Sequence, residues 1–461
     1  MIQCISPVDG SLYCERPEAA DHEITQALER ADAAARSWAS ASIDERARLC
    51  GALVDAFVAQ GDTHRDELAW QMGRPVRYGL GEVRGFEERA RKMIALAPEA
   101  LADLGMPEKP GFQRFIRRTP IGVLLTVAPW NYPYLTSVNS VIPALMAGNA
   151  VLLKHSHQTP LCAERFVEAG RAAGLPEGLF QFLHLSRAQT AKLIKEPAIG
   201  GVAFTGSVPG GAQIEEAAAG RFIPVGLELG GKDPAYVRHD ANLAHAIENV
   251  VDGAFFNSGQ SCCGVERIYV HADVYDAFVE GAVELTKQYV LGSPLDEATT
   301  LGPCVRTSAA DFVRGQVAEA VAAGAKALVD PAGFAENREG TPYLAPQLLV
   351  DVDHSMRVMN EETFGPVAGI MKVQSDEEAV ALMNDSDLGL TASIWSEDVD
   401  AALALGDRIA TGTVFLNRCD YLDPDLAWTG VKNTGRGCTL SRLGFEQLTR
   451  PKSFHFRVST K

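Results

Sequence analysis

Two adjacent cysteines between glycines, in "GQSCCG" at residues 259–264, are the first residues whose type and setting suit covalent chemistry. A thiolate in a tight turn attacks electrophilic carbon, so Cys262 and Cys263 each have the chemistry of a nucleophile. A free cysteine is also among the most buried residue types, and alone the pair reads more simply as two small core thiols. Three other stretches bear on the choice. "ELGGK" (228–232) places Glu228 before two glycines at the end of a strand-like run, where a carboxylate can act as general base on water. "PWNYP" (129–133) holds Asn131 between prolines, in a rigid loop able to aim an amide N–H at a developing oxyanion. "FTGSVPGG" (204–211) carries Gly206, Ser207 and Gly211 where a strand becomes a helix. A helix N-terminus suits a pyrophosphate, and Ser207 is a good cap for it. The spacing is not G-x-G-x-x-G, so the usual dinucleotide fingerprint is absent. Each feature alone has a plainer reading: a surface glutamate, a turn asparagine, an ordinary β–α turn. Together they compose a covalent redox site.

Such a site needs elements to position it. Residues 21–60 and 82–102 read as amphipathic helices, and "GFQRFIRRTPIGVLLTVAPW" (111–130) as a strand-like segment. From there strand and helix alternate. Residues 149–154, 178–185, 201–207 and 222–231 read as strands, and 159–174, 187–196 and 208–219 as helices. That alternation predicts a parallel sheet covered on both faces, with ligands at the carboxyl ends of its strands. Residues 128–131, 154–157, 204–211 and 228–232 then share one crevice. A second α/β region spans about 230–430, with helices near 241–255 and 308–324. Its strands fall near 265–270, 346–351, 366–373 and 412–417. "KSFHFRV" (452–458) alternates as a strand and must pair, with segment 112–127 or with another subunit.

The 461 residues exceed one hydrophobic core, so two or three domains are expected. Apolar residues make up 46% and charged residues 22%, ordinary for a globular protein. A net charge of -17 argues against a nucleic-acid surface, which needs clustered Lys and Arg. Nine cysteines in so long a chain read as thiols, not a disulfide framework. Residues 1–10 lack the basic and apolar segments of a signal peptide, and no apolar run approaches ~20 residues. A cytoplasmic protein is expected, with no metal, nucleic-acid or membrane partner.

P-W-N, F-T-G-S, E-L-G-G-K, G-Q-x-C and E-x-F-G-P-V ("ETFGPV", 362–367) occur in that order. With them the chain resembles the NAD(P)-dependent aldehyde dehydrogenase superfamily, from "SPVDGSLY" (6–13) to "KSFHFRV". The resemblance implies an α/β fold with a Rossmann-type parallel-sheet cofactor domain (1–111 and 122–229) and a second α/β catalytic domain (230–440). A small β oligomerisation element (112–121 with 445–461) would join the subunits of a homodimer or homotetramer. It implies oxidation of an aldehyde to the acid with NAD or NADP. In the family's motif the nucleophile is the second residue after Gln, hence Cys262, with Cys263 packing beside it. Glu228 matches the general base and Asn131 the oxyanion-hole side chain. Lys154 matches the lysine on the adenosine ribose, Glu362 the residue on the nicotinamide ribose, and Phe364 the aromatic beside the nicotinamide. Ser207 and Trp130 match the pyrophosphate and backbone contacts. The alternatives are a catalytically silent binding or structural relative, or an esterase or thioesterase using the same cysteine.

The chain departs from the family in places. "KHSHQTP" (154–160) has His157 where NAD-preferring members carry Glu, so a 2′-phosphate is not repelled and dual use of NAD and NADP is expected. "AWTGVKNTGRG" (427–437) puts Trp428 near the substrate mouth in place of small residues, and Arg442 stands where many members have a second carboxylate. Arg418 and Arg442 are candidates to bind a carboxylated aldehyde. Tyr132 and Phe256 are candidates to wall an apolar substrate tunnel.

Overall fold

The computed structural model describes residues 1–459. Two parallel sheets form its framework. The first has six strands in the order Gly435–Arg436, Val225–Glu228, Ile199–Thr205, Val123–Ala128, Ala150–His155 and Phe180–Phe182. All neighbours run parallel except Gly435–Arg436, which lies antiparallel to Val225–Glu228. The central strand Val123–Ala128 is buried along its whole length, as a run of apolar residues covered on both faces must be. Chain order reverses beside it, between Val123–Ala128 and Ile199–Thr205, and such a switch point opens a crevice at the carboxyl ends. Asn131, Ser207 and Glu228 all follow from or lie at those ends.

The second sheet has seven strands: Lys326–Ala327, Gln347–Val350, Val367–Val373, Val265–His271, Asp233–Val237, Thr391–Trp395 and Thr413–Leu416. Only the Lys326–Ala327 edge is antiparallel. The largest core cluster packs helices on the first sheet through residues such as Phe57, Phe86, Val141 and Phe166. A second gathers Val250, Phe255, Ile268, Phe278 and Trp395 around the other sheet.

Segment 111–130 is two strands in different sheets rather than one. Phe112–Pro120 joins a three-stranded antiparallel sheet, and the chain turns at Gly122 (φ 105°) into Val123–Ala128. The Asn149 carbonyl accepts from the amides of Ile121 (2.7 Å) and Gly122 (3.0 Å), and its amide donates to the Leu448 carbonyl (2.9 Å). One buried side chain therefore ties the turn to the end of the chain. Strand Thr449–Arg457 pairs antiparallel with Phe112–Pro120 of the same chain, with Phe454 stacked on Phe115 at 4.5 Å. The expected helix over 21–60 is two, Asp21–Trp38 and Ile43–Val58, the second capped by Ser42 accepting from the Glu45 amide (3.2 Å). Helix Gly61–Met72 lies outside the sequence expectation, and the expected 82–102 helix runs from Val76 to Ala100.

Candidate active site

Cys262 lies in the turn between the short helix Phe256–Gly259 and strand Val265–His271. Asn257 (φ 53°), Ser258 (φ 58°) and Gly259 (φ 68°) all take left-handed conformations just before it. Non-glycine residues hold that region only when their surroundings over-determine it. Here they do. The Asn257 amide donates to the carbonyls of Asn131 and Gln260 (both 3.2 Å), and its oxygen accepts from Arg74 Nε (3.3 Å). Ser258 Oγ donates to the Gly302 carbonyl (2.7 Å), and Gln260 Oε1 accepts from the Val305 amide (2.7 Å). Asn131 closes the set: its Nδ2 donates to the Gln260 carbonyl (3.1 Å), and its own carbonyl accepts from Arg74 Nη2 (2.6 Å). The Asn131 amide is thus fixed beside the turn that carries Cys262, 5% exposed.

The glycines of "ELGGK" are there because other motifs press on them. A Cβ on Gly230 would sit 2.5 Å from both Glu362 carboxylate oxygens, and one on Gly231 would collide with the Cys262 carbonyl. Lys232 then anchors the assembly through a buried pair with Glu266 (2.5 Å) and a bond to Thr363 Oγ1 (3.0 Å). Glu266 also accepts from the amides of Thr363 (2.8 Å) and Phe364 (2.9 Å). Motifs 131 residues apart are so drawn to one point, where the Gly231 amide donates to Glu362 Oε1 (3.2 Å). Trp130 meets Phe364 edge to face at 5.7 Å.

The two cysteines differ. Cys263 is 3% exposed and donates to Asp420 Oδ1 at 2.9 Å. A hydrogen bond with Cys262, burial and the Asp420 carboxylate together hold its thiol well above the usual range, so it stays protonated. Cys262 is half-buried and borders a cavity of about 480 Å³, whose walls include Glu228, Tyr132, Phe256 and Trp428. Glu228 accepts from Thr205 Oγ1 (2.9 Å) and from Thr439 Oγ1. Burial raises its pKa above the ordinary carboxylate value, against the pull of those two hydroxyls and of Arg89. A carboxylate so tuned is a better base for water than a solvated one. Arg418 is exposed, its guanidinium over the Tyr421 ring at 3.5 Å, and is not among the residues bordering this cavity. Arg442 pairs with Glu99 at the surface.

A second groove, about 690 Å³, lies at the carboxyl ends on the far side of the first sheet. Lys154, Arg187, Ser207, Gly210 and Gln213 border it. Ser207 caps helix Val208–Ala218 by accepting from the Gly210 amide (3.3 Å). The Phe204 ring lies beneath Gly206, where a Cβ would meet it at 2.7 Å, and Leu229 lies equally close to Gly211. Lys154 makes no ion pair among the described residues, and burial, then Arg187, bring its ammonium down to about 8. A half-buried ammonium without a partner, a capped helix N-terminus and an arginine suit the ribose and phosphates of a dinucleotide. His157 does not border this groove; its Nε2 donates to the Leu185 carbonyl (2.8 Å), and burial keeps it neutral.

The aldehyde dehydrogenase family model matches residues 1–454. The chain belongs to the aldehyde dehydrogenase family. A succinate-semialdehyde dehydrogenase [NADP(+)] of Mycobacterium tuberculosis is 33% identical over 98% of this chain and 99% of its own length. The crystal structure of succinic semialdehyde dehydrogenase from Streptococcus pyogenes with NADP+ superposes with a TM-score of 0.94, at 29% identity, covering 99% of this chain and 100% of that one. That of an NAD-dependent aldehyde dehydrogenase from Sinorhizobium meliloti gives 0.95, at 30% identity, covering 100% and 92%. As an aldehyde dehydrogenase the protein oxidises an aldehyde to the carboxylic acid with NAD or NADP.

Sequence reasoning missed several residues of this aldehyde dehydrogenase site. Arg74, which clamps Asn131, stands in "GRP" (73–75), punctuation that reads only as a helix break. Thr205, Thr439 and Asp420 carried no signal of their own. Arg89 and Arg187 sit in helices whose many charges read as solvated faces.

Proposed function

We propose that Cys262 is the nucleophile, Asn131 an oxyanion donor and Glu228 the base that completes turnover. The observation that carries this is the cavity shared by Cys262 and Glu228, next to a turn pinned by Asn131 and Arg74. The Cys262 thiolate adds to the aldehyde carbon, and the oxyanion of the thiohemiacetal is held by Asn131 Nδ2 and the Cys262 amide. Bound NAD or NADP supplies the acceptor for the hydride that leaves that carbon, which leaves a thioester on Cys262. Glu228 takes a proton from water as the water attacks the thioester, and the acid is released. Lys154, Ser207, Glu362 and Phe364 would hold the cofactor, with Trp130 packed against Phe364.

Both cofactors are proposed to serve. The chain carries His157 rather than a carboxylate after Lys154, and Arg187 on the groove offers a fork to a 2′-phosphate, although Glu216 also borders it. The relatives' printed substrate makes succinate semialdehyde the first aldehyde to test. The division into a cofactor domain, a catalytic domain and a β element belongs to the same reading. So does a homodimer or homotetramer, since Phe456 of the terminal strand and Val458 just after it stay 50% and 66% exposed. No helix of the described residues is long and apolar enough to cross a membrane, and a cytoplasmic setting is proposed. The test is aldehyde-dependent reduction of NAD and NADP, with alkylation mapped by mass spectrometry. No reduced cofactor with any aldehyde, or first alkylation at Cys263, refutes the assignment.

A further inference from the structure

Two arginines are buried in the wall of the substrate cavity, and they are differently satisfied. Arg74 is 3% exposed and bonded to the Glu82 carboxylate, so its charge is neutralised in place. Arg89, on helix Val76–Ala100, is 9% exposed and has no carboxylate within ion-pair distance among the described residues. Its Nη1 donates to the Leu135 carbonyl (2.8 Å) and reaches Asn139 Oδ1 (3.4 Å). Its Nε and Nη2 have no hydrogen-bond partner among the described residues, yet neither is sealed off from the cavity. Those two N–H groups form one edge of the guanidinium, the edge whose parallel donors match the two oxygens of a carboxylate.

Burying a guanidinium without a counter-charge is costly unless something supplies one. None of the acids on this cavity pairs with Arg89: Glu82 is taken by Arg74, and Asp252 is exposed to solvent. Asp420 accepts from the Cys263 thiol and the Ser261 hydroxyl, Glu88 from the Tyr421 hydroxyl, and Glu228 from two threonines. Asn139, itself 2% exposed, backs the Arg89 guanidinium and leaves its other edge open.

We propose that Arg89 selects the substrate, binding a carboxylate carried on the aldehyde at the end away from Cys262. The assignment rests on the aldehyde chemistry proposed above. A short semialdehyde then lies with its carbonyl at Cys262 and its acid on the Nε–Nη2 edge, while Tyr132, Phe256 and Trp428 enclose the methylenes. The two arginines marked from sequence, Arg418 and Arg442, are outside this cavity, and Arg89 takes the part they were expected to play.

The experiment uses purified full-length protein with NADP and compares succinate semialdehyde with butanal, equal in length but without the acid. Wild type is expected to prefer the semialdehyde by about a hundredfold in kcat/KM, the effect of losing a charge-assisted bidentate contact. In Arg89→Met that ratio should collapse to within a few-fold of one, carried mainly by KM. Arg89→Lys, which keeps charge but loses the fork, should fall between. A ratio unchanged in Arg89→Met overturns the proposal, because a merely structural arginine lowers both substrates alike. A second measurement needs neither turnover nor a variant. Butanoate should protect Cys262 of the wild type from iodoacetamide at concentrations at least tenfold below those at which butanamide does. Equal protection by the two overturns the role of Arg89 even if aldehydes are oxidised. Preferential protection by butanoate with no oxidation of any aldehyde upholds the anion site and refutes the function instead.

Discussion

The turn that carries Cys262 and the groove beside Lys154 are built on opposite plans. That turn is held by polar groups that satisfy one another. Arg74, Asn131, Asn257 and Gln260 form a closed set of hydrogen bonds, and Lys232 is neutralised by Glu266. In the groove, Lys154 and Arg187 make no ion pair among the described residues, and the helix N-terminus behind Ser207 faces open space. On the proposed roles, the protein pre-organises the reacting end and leaves the anionic end of the cofactor to complete the groove. Pre-organisation places donors where charge will develop, and avoids a reorganisation cost during the reaction.

The contrast predicts where a substitution hurts most. Cys262→Ala should lower aldehyde oxidation by at least about 10⁴-fold, while Cys263→Ala keeps most of it. Steady-state rates of both variants decide this, and comparable losses would mean that the two thiols act together. Glu228→Gln should release one burst of reduced cofactor and then turn over about 10²–10⁴-fold more slowly. In wild type the deacylation rate should rise with pH through a pKa above 4.5, since burial raises that carboxyl. Loss of this limb in the variant, followed by stopped-flow absorbance, identifies the group.

Smaller effects belong to the open groove. Arg187→Ala should reduce kcat/KM for NADP by about ten- to a hundredfold and leave that for NAD within a few-fold. His157→Glu should shift preference toward NAD. An NADP value indifferent to both would show that the groove does not read the 2′ position. The smallest effect concerns Glu362, whose carboxyl is pushed up to about 8 by burial and then by Glu266. The protonated form is favoured in the folded protein. Its stabilisation is therefore complete below about pH 4.5 and is lost as pH rises through 8. Without cofactor, wild type should lose about 1–2 kcal/mol more than Glu362→Gln between pH 5 and 9. Parallel denaturation curves for the two would show that the carboxylate is solvated.

Sequence and structure agree best where backbone geometry dictates residue type. Gly230, Gly231 and Gly259 are demanded by close approach, so "ELGGK" and "GQSCCG" announce themselves. The strand ends were readable for the same reason that the sheet is buried, because an apolar run such as "VLLTVA" has few alternatives. Helix Gly61–Met72 was not readable, because it packs His64, Glu67 and Gln71 inward and shows no apolar period. The division of segment 111–130 depends on Asn149, 27 and more residues downstream of the turn it holds. Arg89 was invisible for a related reason. In "FEERARKM" (86–93) its neighbours Glu88 and Arg91 are surface groups, and only the helix's placement turns one of these charges inward.

Strand Gly435–Arg436 joins the first sheet beside Val225–Glu228, and Thr439, just beyond it, grips Glu228. On the ribosome this delays the enzyme. At ~5–20 residues per second, the chain between residues 228 and 436 takes roughly 10–40 s to make. Throughout that interval Val225–Glu228 is a sheet edge with open backbone groups, and its glutamate has one of its two hydroxyls. Until Gly435–Arg436 covers it, that edge is open to pairing with another chain.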